Sequence, residues 1–225
     1  MRKPVHINRR GAFVFILPRS GFVQQFIQPD AASRHGLIQA LALISGSPMF
    51  ERLPHSLERL RLRTLRPDDL DAFHAYRSDP VVARYQGWEP ITLWQATDFL
   101  RTQASQTSHA PDTWRQLAIA VQKSDLLIGD IGVWLSPDCL QAEFGLSITP
   151  AAQGNGYGAE CVRGLIDLLF STTAVTEVVA STDVRNLACL AVLAHSGMRH
   201  MDTRQAEYKG EICTEHMFSV RKAEC

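Results

Sequence analysis

The sequence has almost no charge imbalance and no long apolar run. Its 225 residues include 23 basic and 23 acidic side chains, so the formal net charge is zero. Nucleic-acid-binding proteins usually carry a clear basic excess, and this balance argues against that class. Two apolar runs, residues 12–17 and 37–44, fall well short of the roughly 20 residues that a membrane helix requires. We therefore expect neither a nucleic acid nor a membrane as a partner.

The sequence also lacks the cysteine patterns of disulfide-rich or zinc-binding domains. Its five cysteines are odd in number and widely spaced, and none belongs to a Cys-x-x-Cys or Cys/His ligand pair. No structural metal is expected. Free thiols are typical of a reducing compartment, so the expected location is the cytoplasm.

The basic and acidic residues that the sequence does contain are distributed unequally between its N-terminal quarter and the rest. Residues 1–55 hold seven basic and two acidic side chains, which leaves 16 basic and 21 acidic ones in residues 56–225. We interpret 1–55 as a weakly ordered extension and 56–225 as one globular domain. A sharper hypothesis is that translation starts at Met49, with residues 1–48 upstream of the true start. A signal peptide is not expected, because Pro18-Arg19 ends the first apolar run and no small-residue cleavage site follows closely.

Hydrophobic periodicity in residues 56–225 alternates between strand and helix patterns. The Thr92-x-x-Gln95 spacing matches a capping box at a helix start. The resulting order is βααβββαβαββ, which predicts a mixed α/β sheet rather than a purely parallel one. The predicted strands are 58–65, 117–121, 126–134, 140–148, 175–182, 198–201 and 212–220, and the predicted helices begin at residues 67, 92, 157 and 187.

The most informative segment is the glycine loop, residues 153–158, between the fourth predicted strand and the helix that starts at Tyr157. Glycine permits positive φ and a close approach of the backbone to a ligand. Successive N–H groups and the positive end of the helix then favour an anion such as phosphate. Taken alone, a Gly-x-Gly match favours a simple glycine-rich connection between a strand and a helix, so the surrounding residues must decide.

Two common phosphate-binding motifs do not fit the glycine loop. A P-loop needs a Gly-Lys-Ser/Thr sequence, and no lysine follows the glycines. A dinucleotide fold needs its loop after the first strand of a parallel unit and an acidic residue about 20 positions later. Here the loop follows an antiparallel run, and Glu177 lies within a predicted strand rather than at its end.

The sequence Gln153-Gly154-Asn155-Gly156-Tyr157-Gly158 resembles the Gln/Arg-x-x-Gly-x-Gly/Ala motif of GNAT acetyltransferases. The flanking residues 143–150 and 157–160, together with Trp88-Glu89-Pro90-Ile91-Thr92, look like the RimJ/RimL branch of ribosomal-protein N-acetyltransferases. Asn186-Leu187-Ala188-Cys189 followed by Gly197-Met198 is similar to a later segment of that branch. The resemblance covers about residues 56–220.

This resemblance implies a fold and a co-substrate. The fold is a central, mostly antiparallel sheet, splayed between its fourth and fifth strands, with helices on both faces. The co-substrate is acetyl-CoA, whose diphosphate would bind the amides of Gln153, Gly154, Asn155, Gly156, Tyr157 and Gly158. Its pantetheine arm would pair with the backbone of Leu146, Ser147 and Ile148. Asn186 would hydrogen-bond the pantetheine, although an asparagine there equally suits a helix N-cap.

The implied reaction is direct acetyl transfer to an amine, which must lose a proton. Glu143 is our candidate base; the alternative is a solvent-facing strand glutamate. The related branch places Ser at the position of Cys189, and other GNAT enzymes place Tyr at Leu193. Cys189 is thus either a weak acid for the departing thiolate or an ordinary packing residue. Trp88 and Trp134 are candidates for the wall of the amine pocket.

Three functions follow from these residues. The first is a cytoplasmic N-acetyltransferase, a monomer or homodimer, acting on a protein N-terminus or a small-molecule amine. The second is an acyl-CoA-binding regulator with little catalysis, which the departures at Cys189 and Leu193 favour. The third is a protein that binds a nucleotide phosphate.

Overall fold

The computed structural model describes residues 48–106 and 109–223. Its helices are α1 (Pro48–Glu51), α2 (Leu70–Arg77), α3 (Pro80–Ala83), α4 (Leu93–Ser105), α5 (Tyr157–Thr172) and α6 (Leu187–His195). Its strands are β1 (His55–Ser56), β2 (Leu60–Thr64), β3 (Trp114–Val121), β4 (Leu127–Leu135), β5 (Gln141–Ile148), β6 (Glu177–Asp183), β7 (Arg199–Tyr208) and β8 (Glu211–Arg221). Short 3-10 turns at Pro67–Asp69 and Pro150–Ala152 precede α2 and the glycine loop.

The described strands form one eight-stranded sheet in the order β1-β2-β3-β4-β5-β6-β8-β7. Only β5 and β6 pair in parallel; the other neighbours in the sheet are antiparallel. This arrangement confirms the predicted mixed, mostly antiparallel α/β sheet. Every strand and helix predicted from the periodicity is present, and β1, α1 and α3 are additional.

Apolar side chains cover both faces of the sheet. On one face, α5 and α6 pack on a core that includes Leu62, Ile131 and Leu165. On the other face, residues of α2 and α4 such as Phe73 and Leu100 form a second core. Successive side chains of a strand point to opposite faces, so β3 and β4 contribute residues to both cores.

The folded unit extends upstream of residue 56. Met49 in α1 is completely buried in the core beside α5 and Leu53 packs against the same core, so these two residues of the predicted extension belong to the domain. Residues 1–47 lie outside the described residues. The idea that translation starts at Met49 stays a prediction.

Two helix starts follow from local sequence signals. The Thr92 side chain accepts a hydrogen bond from Gln95 N, and the Gln95 side chain accepts one from Thr92 N. These two bonds confirm the capping box. Asp79-Pro80 ends α2 as predicted. It also begins α3, because the Asp79 carboxylate accepts the amide of Val81.

An ion pair is buried between α2 and the sheet. The Arg77 guanidinium donates to the Asp130 carboxylate, and both side chains are almost inaccessible to solvent. The Trp88 ring centroid lies 4.6 Å from the guanidinium carbon, and Gln116 Nε2 donates to the same carboxylate at 2.9 Å. Asp130 lies on β4 opposite Ser147 of β5, so this pair holds α2 against the neighbour of the strand that carries the predicted cofactor contacts.

Replacing Arg77 by Met should lower the free energy of unfolding by about 3–5 kcal/mol, because the Asp130 carboxylate then loses its buried cation. Urea denaturation measures this loss. The double variant Arg77→Met/Asp130→Asn should recover much of it. The control Arg221→Met removes an exposed pair with Glu177 and should cost less than about 1 kcal/mol. Equal losses in the two single variants would contradict the importance of the buried pair.

Candidate active site

The sheet splits between β5 and β6. These strands pair only at Gln141–Glu143 and Glu177–Val179, and the rest of β6 continues to pair with β8. Residues 144–148 of β5 therefore present main-chain groups along a gap, which we call the strand gap. The predicted splay between the fourth and fifth strands is confirmed; these strands are β5 and β6 because β1 was not predicted.

A cavity of about 790 Å³ lies along the unpaired end of β5. Its walls come from β5, the glycine loop, the first turn of α5, α6, and residues 81–86. Nine of the ten predicted cofactor-binding residues line it, as does Cys189. These nine are Leu146, Ser147, Ile148, Gln153, Gly154, Gly156, Tyr157, Gly158 and Asn186.

The glycine loop needs its glycines for two different reasons. Gly154 and Gly156 have φ of 75° and 76°, a region that other residues rarely adopt. At Gly158, by contrast, a Cβ would lie 2.8 Å from a methyl group of Val192, so its absence lets α5 approach α6. The first two glycines shape the loop, and the third allows the two helices to pack closely.

The side chains of the glycine loop satisfy carbonyl groups and leave amides available. Gln153 Nε2 donates to Ile148 O at 2.9 Å, and Asn155 Nδ2 donates to Ala152 O and Gln153 O. Asn155 itself does not line the cavity. Within the described chain, the amides of residues 154–159 have no hydrogen-bond acceptor. Such a run of free N–H groups at a helix N-terminus suits the oxygens of a phosphate.

The loop is fixed from outside by Glu160, whose buried carboxylate accepts the amides of Arg59 and Leu60 and the Nε of Arg59. Arg59 also lines the cavity. Sequence reasoning missed this contact because Arg59 and Glu160 are far apart in the chain. The Glu160 hydrogen bond raises the pKa of Arg59 above its usual range, so the guanidinium stays charged.

At the start of α6, Asn186 Oδ1 accepts the amide of Cys189 at 3.1 Å, so Asn186 is a helix N-cap. Cys189 is half-buried, and burial raises the pKa of its thiol although the hydrogen bond with Thr182 lowers it. The thiol therefore remains protonated near neutral pH. Leu193, in contrast, is buried in the core and does not line the cavity.

Glu143 is buried at the closed end of the strand gap. It forms the last register pair between β5 and β6, with Val179, and is only 6% exposed. The alternative of a solvent-facing glutamate is therefore wrong. Its Oε1 has no hydrogen-bond partner in the described chain. Burial raises the pKa of Glu143 to about 9; the nearby Arg204 lowers it and Glu215 raises it further.

Neither candidate tryptophan lines the cavity. Trp88 is buried in the core beneath α2, where its ring stacks on Arg77. Trp134 is half-buried on β4, pairs in register with Glu143, and donates from Nε1 to Asp112 at 3.3 Å. Their predicted role in binding the amine stays a prediction.

A bridging segment, residues 81–89, spans the strand gap. Gln86 Nε2 donates to Leu146 O on β5 at 3.2 Å. The other arm of the sheet holds the segment through Tyr208 Oη, which donates to Gln86 O. Lys209 Nζ reaches the carbonyls of Ala83 and Trp88 at 3.1 and 3.2 Å. Sequence patterns gave no sign of this segment's role, because its contacts come from β5 and the β7–β8 turn.

Over residues 48–106 and 109–223, no three His, Cys, Asp or Glu side chains cluster in a way that could hold a metal ion. In the same ranges, none of the helices has the length and apolar character needed to span a bilayer.

Comparison with curated proteins finds a local sequence similarity. The chain is 32% identical over 63 residues to FsC-acetyl coenzyme A-N(2)-transacetylase from Aspergillus fumigatus. This match covers 28% of the chain and only 27% of that relative. It therefore says little about the activity of the whole protein.

Solved structures share the fold at low sequence identity. A GNAT-family acetyltransferase from Bacillus anthracis has a TM-score of 0.66 and 19% identity, over 74% of this chain and 96% of that one. Spermidine N-acetyltransferase from Vibrio cholerae has a TM-score of 0.62 and 17% identity, over 72% and 95%. RimL, a ribosomal α-N-protein acetyltransferase, has a TM-score of 0.62 and 16% identity, over 76% and 93%.

A family model described as an acetyltransferase (GNAT) domain matches residues 59–199, from the arginine that contacts Glu160 to the start of β7. The match includes the strand gap, the glycine loop and α6. The chain therefore belongs to the GNAT family of acetyltransferases.

Proposed function

We propose that this acetyltransferase moves the acetyl group of acetyl-CoA directly to a primary amine, either a protein N-terminus or a small molecule. The observation that carries the proposal is the strand gap with free loop amides at its open end. The amides suit a diphosphate, and the unpaired edge of β5 can pair with an extended amide-containing arm. Among the fold neighbours are one enzyme named for spermidine and one named for a ribosomal protein.

The chain's own residues then have distinct tasks. The main chain of Leu146, Ser147 and Ile148 would orient the pantetheine arm, and Asn186 could add a contact from α6 while it caps that helix. The amides of the glycine loop would hold the diphosphate. The thioester would then lie near the closed end of the gap, next to Glu143.

Glu143 is the proposed general base. The attacking amine nitrogen must lose a proton as it bonds to the thioester carbonyl carbon, and ordinary α-amino groups have a pKa of about 8. A base with a pKa of about 9 is mostly protonated at neutral pH, so only a small fraction of the enzyme is competent there. The reaction should therefore speed up as the solution becomes alkaline.

Cys189 is the proposed acid. When the carbon–sulfur bond breaks, the departing thiolate takes a proton or a hydrogen bond. The Cys189 thiol is protonated, lines the cavity and lies at the start of α6. A thiol is a weaker donor than a hydroxyl, so its contribution is expected to be modest.

We also infer a monomer or homodimer working in the cytoplasm. The four cysteines within the described ranges, Cys139, Cys161, Cys189 and Cys213, are free thiols, which supports a reducing environment.

An acyl-CoA-binding regulator is the second candidate. It is favoured by Leu193, which is a core residue where other GNAT enzymes place tyrosine, and by the largely protonated state of Glu143. This candidate predicts tight binding without turnover.

Acetyl-CoA turnover separates the two candidates. Thiol release should be measured with a panel of peptides with free N-termini, polyamines and other small amines, after acetyl-CoA has been shown to raise the melting temperature. Turnover on any amine supports the transferase. Stabilisation by acetyl-CoA without turnover would favour the regulator. Stabilisation by ATP or NAD but not by CoA would contradict both.

Changing Glu143 to Gln should remove the ionisation of this carboxyl group from the pH dependence of kcat/KM. The ratio of kcat/KM between the native enzyme and Glu143→Gln should rise with pH, reach half of its maximum near pH 9 and level off above that, since only the ionised carboxylate accepts a proton. Taking the ratio cancels the ionisation of the amine itself. A ratio that stays constant from pH 6 to pH 10 would exclude Glu143 as the base.

Changing Cys189 to Ala should lower kcat by roughly tenfold, with little change in the KM for acetyl-CoA, because a donor to the leaving sulfur is lost. Cys189→Ser is the matched variant, since a hydroxyl restores the donor. Steady-state kinetics at saturating amine measures both. An unchanged kcat in Cys189→Ala would show that CoA leaves without help from this side chain.

A further inference from the structure

Arg59 is a cationic side chain on the cavity wall that the family motif does not include. It precedes β2, and its side chain is 44% exposed. It lines the cavity together with Gly154, Gly156 and Tyr157. A cationic side chain beside a row of free amides adds a charged hydrogen-bond donor, which those amides are not.

Glu160 holds this arginine in one orientation. Arg59 Nε lies 2.7 Å from Glu160 Oε2, and the backbone amide of Arg59 lies 2.7 Å from Oε1. The Glu160 side chain is 8% exposed and belongs to the first turn of α5, so it is itself rigid. A guanidinium fixed at both its Nε and its backbone loses little conformational freedom when a ligand binds.

Two further contacts turn the guanidinium toward the glycine loop. Arg59 Nη1 donates to Asn155 O at 2.9 Å, and the guanidinium carbon lies 4.7 Å from the ring centroid of Tyr157. A Cβ built on Gly156 would lie 3.5 Å from Nη2. Nη2 makes no hydrogen bond to any described residue, so it is available as a donor beside the loop.

We propose that Arg59 binds the diphosphate of the acyl-CoA beside Gly156 of the glycine loop, and that Glu160 is the positioning residue that orients it. This inference rests on the proposed function. The loop amides supply neutral donors and Arg59 Nη2 supplies a cationic one, and a charged donor binds phosphate oxygens more strongly than a neutral one. The pair therefore selects a carrier with a diphosphate over one that ends at the pantetheine.

The test compares two acetyl donors: acetyl-CoA carries the 3′-phospho-ADP group that contains the diphosphate, whereas S-acetyl-pantetheine carries the same thioester and no phosphate. Acetyl-dephospho-CoA, which keeps the diphosphate and lacks only the 3′-phosphate, should respond to each variant as acetyl-CoA does. In Arg59→Met, kcat/KM for acetyl-CoA should fall by about tenfold or more, the effect of losing one hydrogen bond to a charged group. The kcat/KM for S-acetyl-pantetheine and the kcat at saturating acetyl-CoA should not change.

Arg66→Met is the matched control. Arg66 is similarly exposed, at 47%, and also pairs with a carboxylate, that of Asp125, but it does not line the cavity. It should behave as the native enzyme with both donors. Glu160→Gln should lower kcat/KM for acetyl-CoA but not for S-acetyl-pantetheine. The loss should be smaller than in Arg59→Met, because the guanidinium remains and only its orientation is less restricted.

The outcomes are distinct. Equal losses with both donors in Arg59→Met would overturn the proposal, since the arginine would then only shape the loop; so would no loss with either donor. If Arg59→Met does not fold, as judged by its melting curve without ligand, Arg59→Lys decides. Lysine keeps the charge but lacks the Nε through which Glu160 orients the guanidinium, so a selective but smaller loss supports the proposal and a non-selective loss overturns it. Failure of the native enzyme to use acetyl-CoA would contradict the proposed function itself.

Discussion

The early separation of β5 and β6 is the constraint on which the rest of the site depends. Parallel strands end at the same edge of a sheet, so the elements that follow β5 and β6 begin side by side there. The glycine loop with α5 and the cap of α6 consequently face the same cavity. Had the two strands stayed paired to their ends, the edge of β5 would be covered and the amides of residues 154–159 would face a closed sheet.

Local signals made much of this architecture predictable. The glycine spacing, the amphipathic helix after it and the Thr92 capping box each depend on residues close together in the chain, and each appears as expected. The splay between two strands was predicted from the family resemblance, because hydrophobic periodicity carries no information about it. Nine predicted cofactor residues reach one cavity because they belong to one strand end, one loop and one helix cap.

The features that escaped prediction come from contacts distant in sequence. β7 is ten residues long although only 198–201 was predicted, because its polar sequence has no apolar alternation and its register is imposed by β8. Glu143 is buried by neighbouring strands, so the alternation within its own strand could not predict its burial. The predicted tryptophans illustrate the same limit: Trp88 packs under α2, away from the cavity.

The bridging segment over the strand gap has a consequence for substitutions at the β7–β8 turn. Its anchors, Tyr208 and Lys209, lie at the β7–β8 turn, whereas the glycine loop is fixed independently by Glu160. The bridging segment and the glycine loop line the same cavity but are thus supported by separate parts of the chain. Substitutions at the hairpin tip can therefore shift the bridging segment and, through Gln86, the edge of β5, while the glycine loop keeps its separate anchor at Glu160.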